Sequence, residues 1–175
     1  NAILRSSIAL LYAHWEGFVK EVATRYLVYV VNQRRPYREL RRSLILLGLR
    51  RHLKIMESEG VKSGQEAMDF FFEQLDYRAK INASKSIDTR SNLSSTVFED
   101  VAETIGVTFE KYKTKSNFVD QSLLRRRNEI AHGKPLEVGK EHFVDLVNET
   151  IGLLRMFKND LENAATQKTY LSGSE

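Results

Sequence analysis

Residues 2–34 carry apolar side chains at Leu4, Ile8, Leu11, Trp15, Phe18, Val22 and Tyr29. The steps alternate between four and three residues, with one interruption at Arg25. That is the spacing of a helix-packing seam. It predicts one amphipathic helix, roughly 50 Å long at 1.5 Å per residue. A helix of that length suits an elongated bundle better than a compact ball. Gly17 falls inside it and costs about 1 kcal/mol relative to alanine, so another helix packed close by would explain it. Glu16 sits at the edge of the seam, as a solvated carboxylate or as the partner of a charge elsewhere.

The rest of the chain repeats the helical theme. Pro36 ends the first helix and starts a second, to about residue 59, with Leu40, Leu44, Leu47 and Leu53 inward. Its arginines and lysine (Arg34, Arg35, Arg38, Arg41, Arg42, Arg50, Arg51, Lys54) make it the most basic segment. His52 stands alone among them as a surface residue. Gly60 and Gly64 bracket a turn, and Ser63 caps a third helix over residues 65–77. Met68, Phe71, Phe72 and Leu75 would be its core face. Residues 78–94 are polar without a sustained period and read as a loop or a single turn. Ser94 or Ser95 caps a short helix that stops at Gly106, with Val97, Val101 and Ile105 inward. The last helix runs over residues 139–169, with Phe143, Leu146, Val147, Ile151, Leu154, Phe157 and Leu161 inward. No segment alternates like a strand. The expectation is one all-α domain over residues 1–175, an elongated up-down bundle of four to five main helices.

Composition narrows the function classes. No apolar run approaches the roughly 20 residues of a membrane span. His14, Glu16, Lys20 and Glu21 inside the first pattern exclude a signal peptide there. Without cysteine there are no disulfides or thiolate metal sites, which is compatible with a reducing cytoplasm. Four histidines without an H-x-x-x-H or H-E-x-x-H pair give no metal motif. No glycine-rich phosphate loop and no Ser nucleophile motif appears. The expectation is no metal and no cofactor. A net charge of +4 and a pI near 9.3 fit a polyanion partner or simple solubility equally.

One helix breaks the pattern. Residues 117–132 read as a helix capped by Ser116 and stopped by Gly133 and Pro135. Projected at 100° per residue, Val119, Leu123, Leu124, Ile130 and Ala131 lie within about 80° of Arg127. The apolar stripe is thus centred on an arginine. A guanidinium keeps its charge, so it needs a carboxylate, a subunit interface or an anionic ligand. Asn128 and His132, four apart, share a neighbouring face. Arginine suits a phosphate and its developing charge; histidine moves protons near neutrality. RNA brings its own nucleophile, the 2′-hydroxyl. Arg127, Asn128 and His132 therefore suffice for scission to a 2′,3′-cyclic phosphate, and a twofold dimer would double so thin a site. A purely structural reading stays open, with Arg127 paired to Glu16 and His132 capping the helix.

The segment Arg127-Asn128-Glu129-Ile130-Ala131-His132 resembles the R-x4–6-H signature of the HEPN superfamily. Leu11-Tyr12-Ala13-His14-Trp15-Glu16-Gly17-Phe18-Val19-Lys20 resembles the first helix of its RiboL-PSP-type and MAE-type families. Asp88-Thr89-Arg90-Ser91-Asn92-Leu93, a short helix and Ile105-Gly106 resemble their middle region. The resemblance covers most of the chain. It implies an up-down bundle, a homodimer with a composite cleft, and metal-independent endoribonuclease activity. It further implies a toxin or phage-defence role in a bacterial cytoplasm, with an antitoxin or regulatory partner. Arg127 and His132 would be the catalytic pair, Asn128 their polar companion, and Glu16 and Lys134 supporting residues. HEPN toxins controlled by a nucleotidyltransferase tend to have tyrosine two after the histidine, and Lys134 stands there. The alternative is a non-catalytic HEPN-like module that binds RNA or nucleotides, or regulates a neighbour.

Overall fold

The computed structural model describes residues 2–58, 61–135 and 137–173. The side chains of residues 51, 52, 55–58, 61–63 and 67 are outside that description. The expected Gly60 turn, the Ser63 cap and the surface placement of His52 fall on those positions. Every named element among the described residues is a helix or helical turn, with two isolated bridges, Pro36 to Arg78 and Leu40 to Leu171, in place of any strand. The chain is an all-α bundle.

Helix α1 spans Ala2–Asn32. Its buried residues are Ile8, Tyr12, Trp15, Val19, Ala23, Tyr26, Leu27 and Val30. Beyond Trp15 this stripe departs from the expected seam. Val19 is buried where Phe18 was expected to be, and Tyr29 lies 37% exposed. The reason is helical phase. A strict seven-residue repeat drifts around a straight helix by about 20° per heptad, whereas an eleven-residue repeat stays in line. Ile8, Val19 and Val30 keep the longer period. So do Leu146 and Phe157, Thr150 and Leu161, and Leu153 and Ala164 in the last helix, α7 (Lys140–Thr166). Thr150 and Leu153 therefore face the core, and Ile151 turns outward at 37% exposure. The Thr150 hydroxyl donates to the Leu146 carbonyl at 2.7 Å, which makes its full burial tolerable.

Contacts set the directions. Tyr29 near the end of α1 donates to the Ala165 carbonyl near the end of α7, so these two helices run the same way. Between them in sequence, the chain descends antiparallel to α1, from Lys111 beside Asp160 to Lys134 beside Arg5. Trp15, Phe98, Phe109, Tyr112 and Phe157 form an aromatic cluster at the centre, with ring centroids 5.0–6.2 Å apart.

Several local expectations are corrected. Pro36 leads into a 3-10 turn, Tyr37–Glu39, and α2 begins only at Arg42, running to Ser58. Tyr37 is the cause: its buried hydroxyl and backbone pair with Lys80 and Tyr77, holding the strand-like segment open. Gly64 lies inside α3 (Val61–Gln74) and marks no turn. Met68 and Phe72 on α3 are 39% and 58% exposed and are not core. A Cβ added at Gly17 would meet nothing within 4 Å, so among the described residues no helix packs against it.

The polar stretch over residues 78–94 is better packed than its composition implies. It holds one helical turn, α4 (Ala83–Ser86). Ala79, Ile81, Ala83, Ile87, Thr89 and Leu93 are all buried, the first three alternating as in an extended segment. Helix α5 (Ser95–Thr104) forms as its caps require: the Ser94 hydroxyl accepts from the Val97 N–H at 3.2 Å, and Gly106 follows at φ +76°.

Candidate functional site

The helix bearing the Arg-His motif is built in three parts. A 3-10 turn, Glu110–Lys115, feeds directly into it, so Ser116 is already helical and caps nothing. Phe118–Leu124 is then wound as a π-helix, and α6 covers Arg125–Ala131. In the π segment the Arg125 N–H donates to the Asp120 carbonyl, five residues back. Such wide turns break the 100° periodicity and recur at functional sites. Here the widened turn keeps Val119 and Leu123 buried while Asp120 reaches the start of α5. Asp120 accepts from the Ser95 N–H at 2.8 Å and the Ser95 hydroxyl at 2.6 Å. A carboxylate also suits the positive end of that helix.

The other end is closed by a Schellman turn. The Lys134 N–H donates to the Glu129 carbonyl, and the Gly133 N–H to the Ile130 carbonyl. Gly133 sits at φ +69°, where a side chain would be strained. Arg5 of α1 donates to the Lys134 carbonyl at 3.0 Å and ties the turn down. Arg127 lies between these two pins.

The structure revises the stripe around Arg127. Val119 and Leu123 are buried, Leu124 and Ile130 half-buried, and Ala131 exposed. Arg127 itself is half-buried. Its Nη1 donates to Asn128 Oδ1 at 2.8 Å and to Asn92 Oδ1 at 3.1 Å. Its guanidinium carbon lies over the Tyr12 ring, 5.1 Å from the centroid. Among the described residues it forms no ion pair with a carboxylate. Neutral amide oxygens and a π face hold the cation without cancelling its charge.

Glu16 does not neutralise Arg127. Its Oε1 accepts from the Thr89 hydroxyl at 2.6 Å. Burial, and after it the charge of Glu16, pushes the Tyr12 phenol up to about 12. The Tyr12 hydroxyl oxygen accepts the Leu93 N–H at 2.5 Å. Tyr12, Thr89 and Asn92 were not picked out as site residues from the sequence. They lie within two of the three stretches that carry the family resemblance, and that is their only signal in the sequence.

His132 is exposed at the C-cap of α6, and its imidazole makes no hydrogen bond among the described residues. It lines an open groove of about 430 Å³ together with Asn128, Lys134, Asp120, Leu124 and the ion-paired Arg125 and Glu129. Asn128 thus touches both halves of the motif: its amide oxygen holds Arg127, and its side chain shares the groove with His132. Five residues on one helix turn the chain about 140° from Arg127, so the two do not lie on one face. A larger cleft of about 630 Å³ lies apart, between α2, the 88–90 turn and α5. It sets Arg50 and Arg90 beside Asp88, Asp100 and Glu103, a mixed wall without a histidine. Among the described residues no three His, Asp or Glu side chains converge as a metal site. No described helix is long and apolar enough to cross a membrane.

An all-α bundle with an Arg-x4-His pair ending a pinned helix is the architecture of a HEPN domain. The family model described as RiboL-PSP-HEPN matches residues 1–163, and the chain belongs to that family. No curated protein and no solved structure matches it.

Proposed function

We propose that this chain is a metal-independent endoribonuclease, one HEPN-like domain over residues 1–175. The observation that carries the reading is the state of Arg127: oriented from three sides, yet with no carboxylate cancelling its charge. A fixed, uncancelled guanidinium is suited to a phosphodiester and to the charge that grows on phosphorus during transfer. The 2′-oxygen of RNA attacks that phosphorus, the bond to the 5′-oxygen breaks, and a 2′,3′-cyclic phosphate and a 5′-hydroxyl result. His132, exposed and without a hydrogen bond among the described residues, exchanges the proton, from the 2′-hydroxyl or to the leaving 5′-oxygen. Asn128 keeps Arg127 in line and contacts the sugar-phosphate in the groove.

One motif histidine per chain cannot serve both proton transfers at once, and Arg127 and His132 diverge around their helix. Both facts support a homodimer whose cleft takes residues from each copy. Ile3, Leu10 and Gly17 lie exposed at seven-residue spacing on one outward face of α1, and that face would accept the second copy. The same divergence favours, as second reading, a non-catalytic module that binds RNA or a nucleotide through Arg127 and regulates a neighbour. The proposal extends to toxin or defence activity in a bacterial cytoplasm, held by an antitoxin or regulatory partner, a role that family membership supports without deciding. Lys134 argues against control by tyrosine modification.

The test is cleavage of a mixed RNA pool in EDTA by wild-type protein, Arg127→Ala and His132→Ala. Cleavage to cyclic-phosphate ends by the wild type alone supports the nuclease. RNA binding without cleavage, lost in Arg127→Ala, supports the second reading, and a requirement for Mg²⁺ overturns the mechanism.

A further inference from the structure

The turn over residues 88–92 has an unfavourable shape and two anchors on α1. Arg90 and Ser91 lie consecutively in the left-handed region, at φ 53° and 55°. Neither is glycine, and L side chains disfavour that conformation. Local bonds are few: Asp88 Oδ1 accepts from the Arg90 N–H at 2.8 Å, and the Asn92 N–H donates to the Thr89 carbonyl at 3.1 Å. Arg90 pairs with Asp100 of α5 at 2.7 Å, and the rest of the hold on the turn comes from α1. Buried Thr89 donates to Glu16 at 2.6 Å, and the N–H of fully buried Leu93 donates to Tyr12 at 2.5 Å. Tyr12 and Glu16 are four apart, so both anchors stand on one face of one helix. Between the anchors the exposed Asn92 side chain reaches Arg127 Nη1 at 3.1 Å. The same Tyr12 ring lies beneath that guanidinium.

We propose that the 88–92 turn is a positioning device for Arg127, with Glu16 and Thr89 as its foundation and Asn92 as its contact. Glu16 acts on Arg127 through Thr89 and the turn, without an ion pair. The arrangement explains why a carboxylate stands close to the site and leaves its positive charge intact. It also gives the strained turn a purpose, since backbone strain persists where the surroundings over-determine it. The kinetic consequence rests on the ribonuclease reading; the geometric one does not.

The experiment compares wild type, Thr89→Val, Thr89→Ser and Asn92→Ala, each checked for folding by circular dichroism. One readout is the NMR signal of the Arg127 guanidinium, assigned with Arg127→Lys. The other is steady-state cleavage of a fluorogenic RNA oligonucleotide in EDTA. Thr89→Val keeps the shape and removes the hydroxyl, so the Arg127 Nη protons should average freely. The value of kcat should fall roughly 10- to 100-fold, the loss expected for a small misplacement, with KM unchanged. Thr89→Ser should restore both. Asn92→Ala, exposed and safe for folding, should repeat the Thr89→Val result if that variant does not fold. Unchanged Arg127 signals in Thr89→Val or Asn92→Ala would overturn the proposal. So would a rise in KM at constant kcat, which would make Asn92 an RNA contact. If wild-type protein cleaves no RNA, the ribonuclease reading falls, and the Arg127 signals alone decide this one.

Discussion

The Arg127 guanidinium lies over the ring of Tyr12, 5.1 Å from its centroid. One aromatic side chain therefore has two roles, since its hydroxyl also receives the Leu93 N–H. The two roles can be separated. Tyr12→Leu removes the π face, worth about 0.5–2 kcal/mol, and should lower RNA cleavage or binding by roughly 3- to 30-fold. Tyr12→Phe keeps the face and strands the buried Leu93 N–H, at about 1–3 kcal/mol of stability. Paired thermal melts and activity assays should show a stability loss in both variants, and the larger activity loss per folded molecule in Tyr12→Leu, which loses the π face as well as the Leu93 anchor.

Arg127→Lys should behave almost like Arg127→Ala. A lysine ammonium cannot make the two amide contacts and stack on Tyr12 while also facing a phosphate. The expected loss is roughly 100-fold or more in kcat. Recovery of more than a tenth of wild-type activity in Arg127→Lys would show that only charge matters at this position.

Gly17→Ala should stabilise an isolated chain by about 1 kcal/mol, because Gly17 is mid-helix and a methyl group there meets open space. Gly17→Trp should leave the monomer folded and disrupt the proposed dimer. Denaturant melts read the first effect and sedimentation the second. A dimer indifferent to Gly17→Trp would place the second copy elsewhere.

Alkaline stability follows from two tyrosines. Burial is the main cause that pushes Tyr12 and Tyr26 up to about 12. Unfolded tyrosine ionises near 10, so above that pH the unfolded chain releases protons that the folded chain keeps. Stability present below pH 10 is therefore lost as pH rises toward 12, on the order of 2 kcal/mol per tyrosine. Tyr26→Phe should flatten that decline in urea melts taken from pH 9 to pH 12. An equal decline in wild type and variant would refute the assignment.

A structural control lies far from the motif. The Tyr112 hydroxyl donates to Asp160, which also pairs with Lys111. Burial, then this bond, raises the Tyr112 phenol. Asp160→Ala leaves a buried hydroxyl unpaired and should cost about 1–3 kcal/mol, with cleavage per folded molecule unchanged. A selective loss of activity at equal folded fraction would link the aromatic cluster to the site.

Much of this was legible in the residues. The all-α class, the Ser94 cap, the Gly106 and Gly133 stops and the Arg-His helix all rest on interactions within a few residues, which sequence encodes directly. Asn128 and His132 were expected to point at one object, and they line one groove. The phase of the long seams is not legible in the sequence, because a seven-residue and an eleven-residue repeat coincide over the first two turns and separate only later. The exposed aromatics of α3 show the opposite limit: an apolar run states what could be buried, and the packing of α2 against α3 leaves part of it uncovered.

The sequence by itself determined that Arg127 would stand near the end of a helix, with a charge needing an answer. Tertiary structure decided the answer: two amide oxygens and a tyrosine face, with no carboxylate. Those partners come from a helix and a turn far away along the chain. Asn92 is 35 residues from Arg127, and Thr89 is 73 from Glu16. No local period relates such pairs. They meet only because burial of α1 against its neighbours brings the 88–92 turn under the motif helix, and that is a property of the whole core.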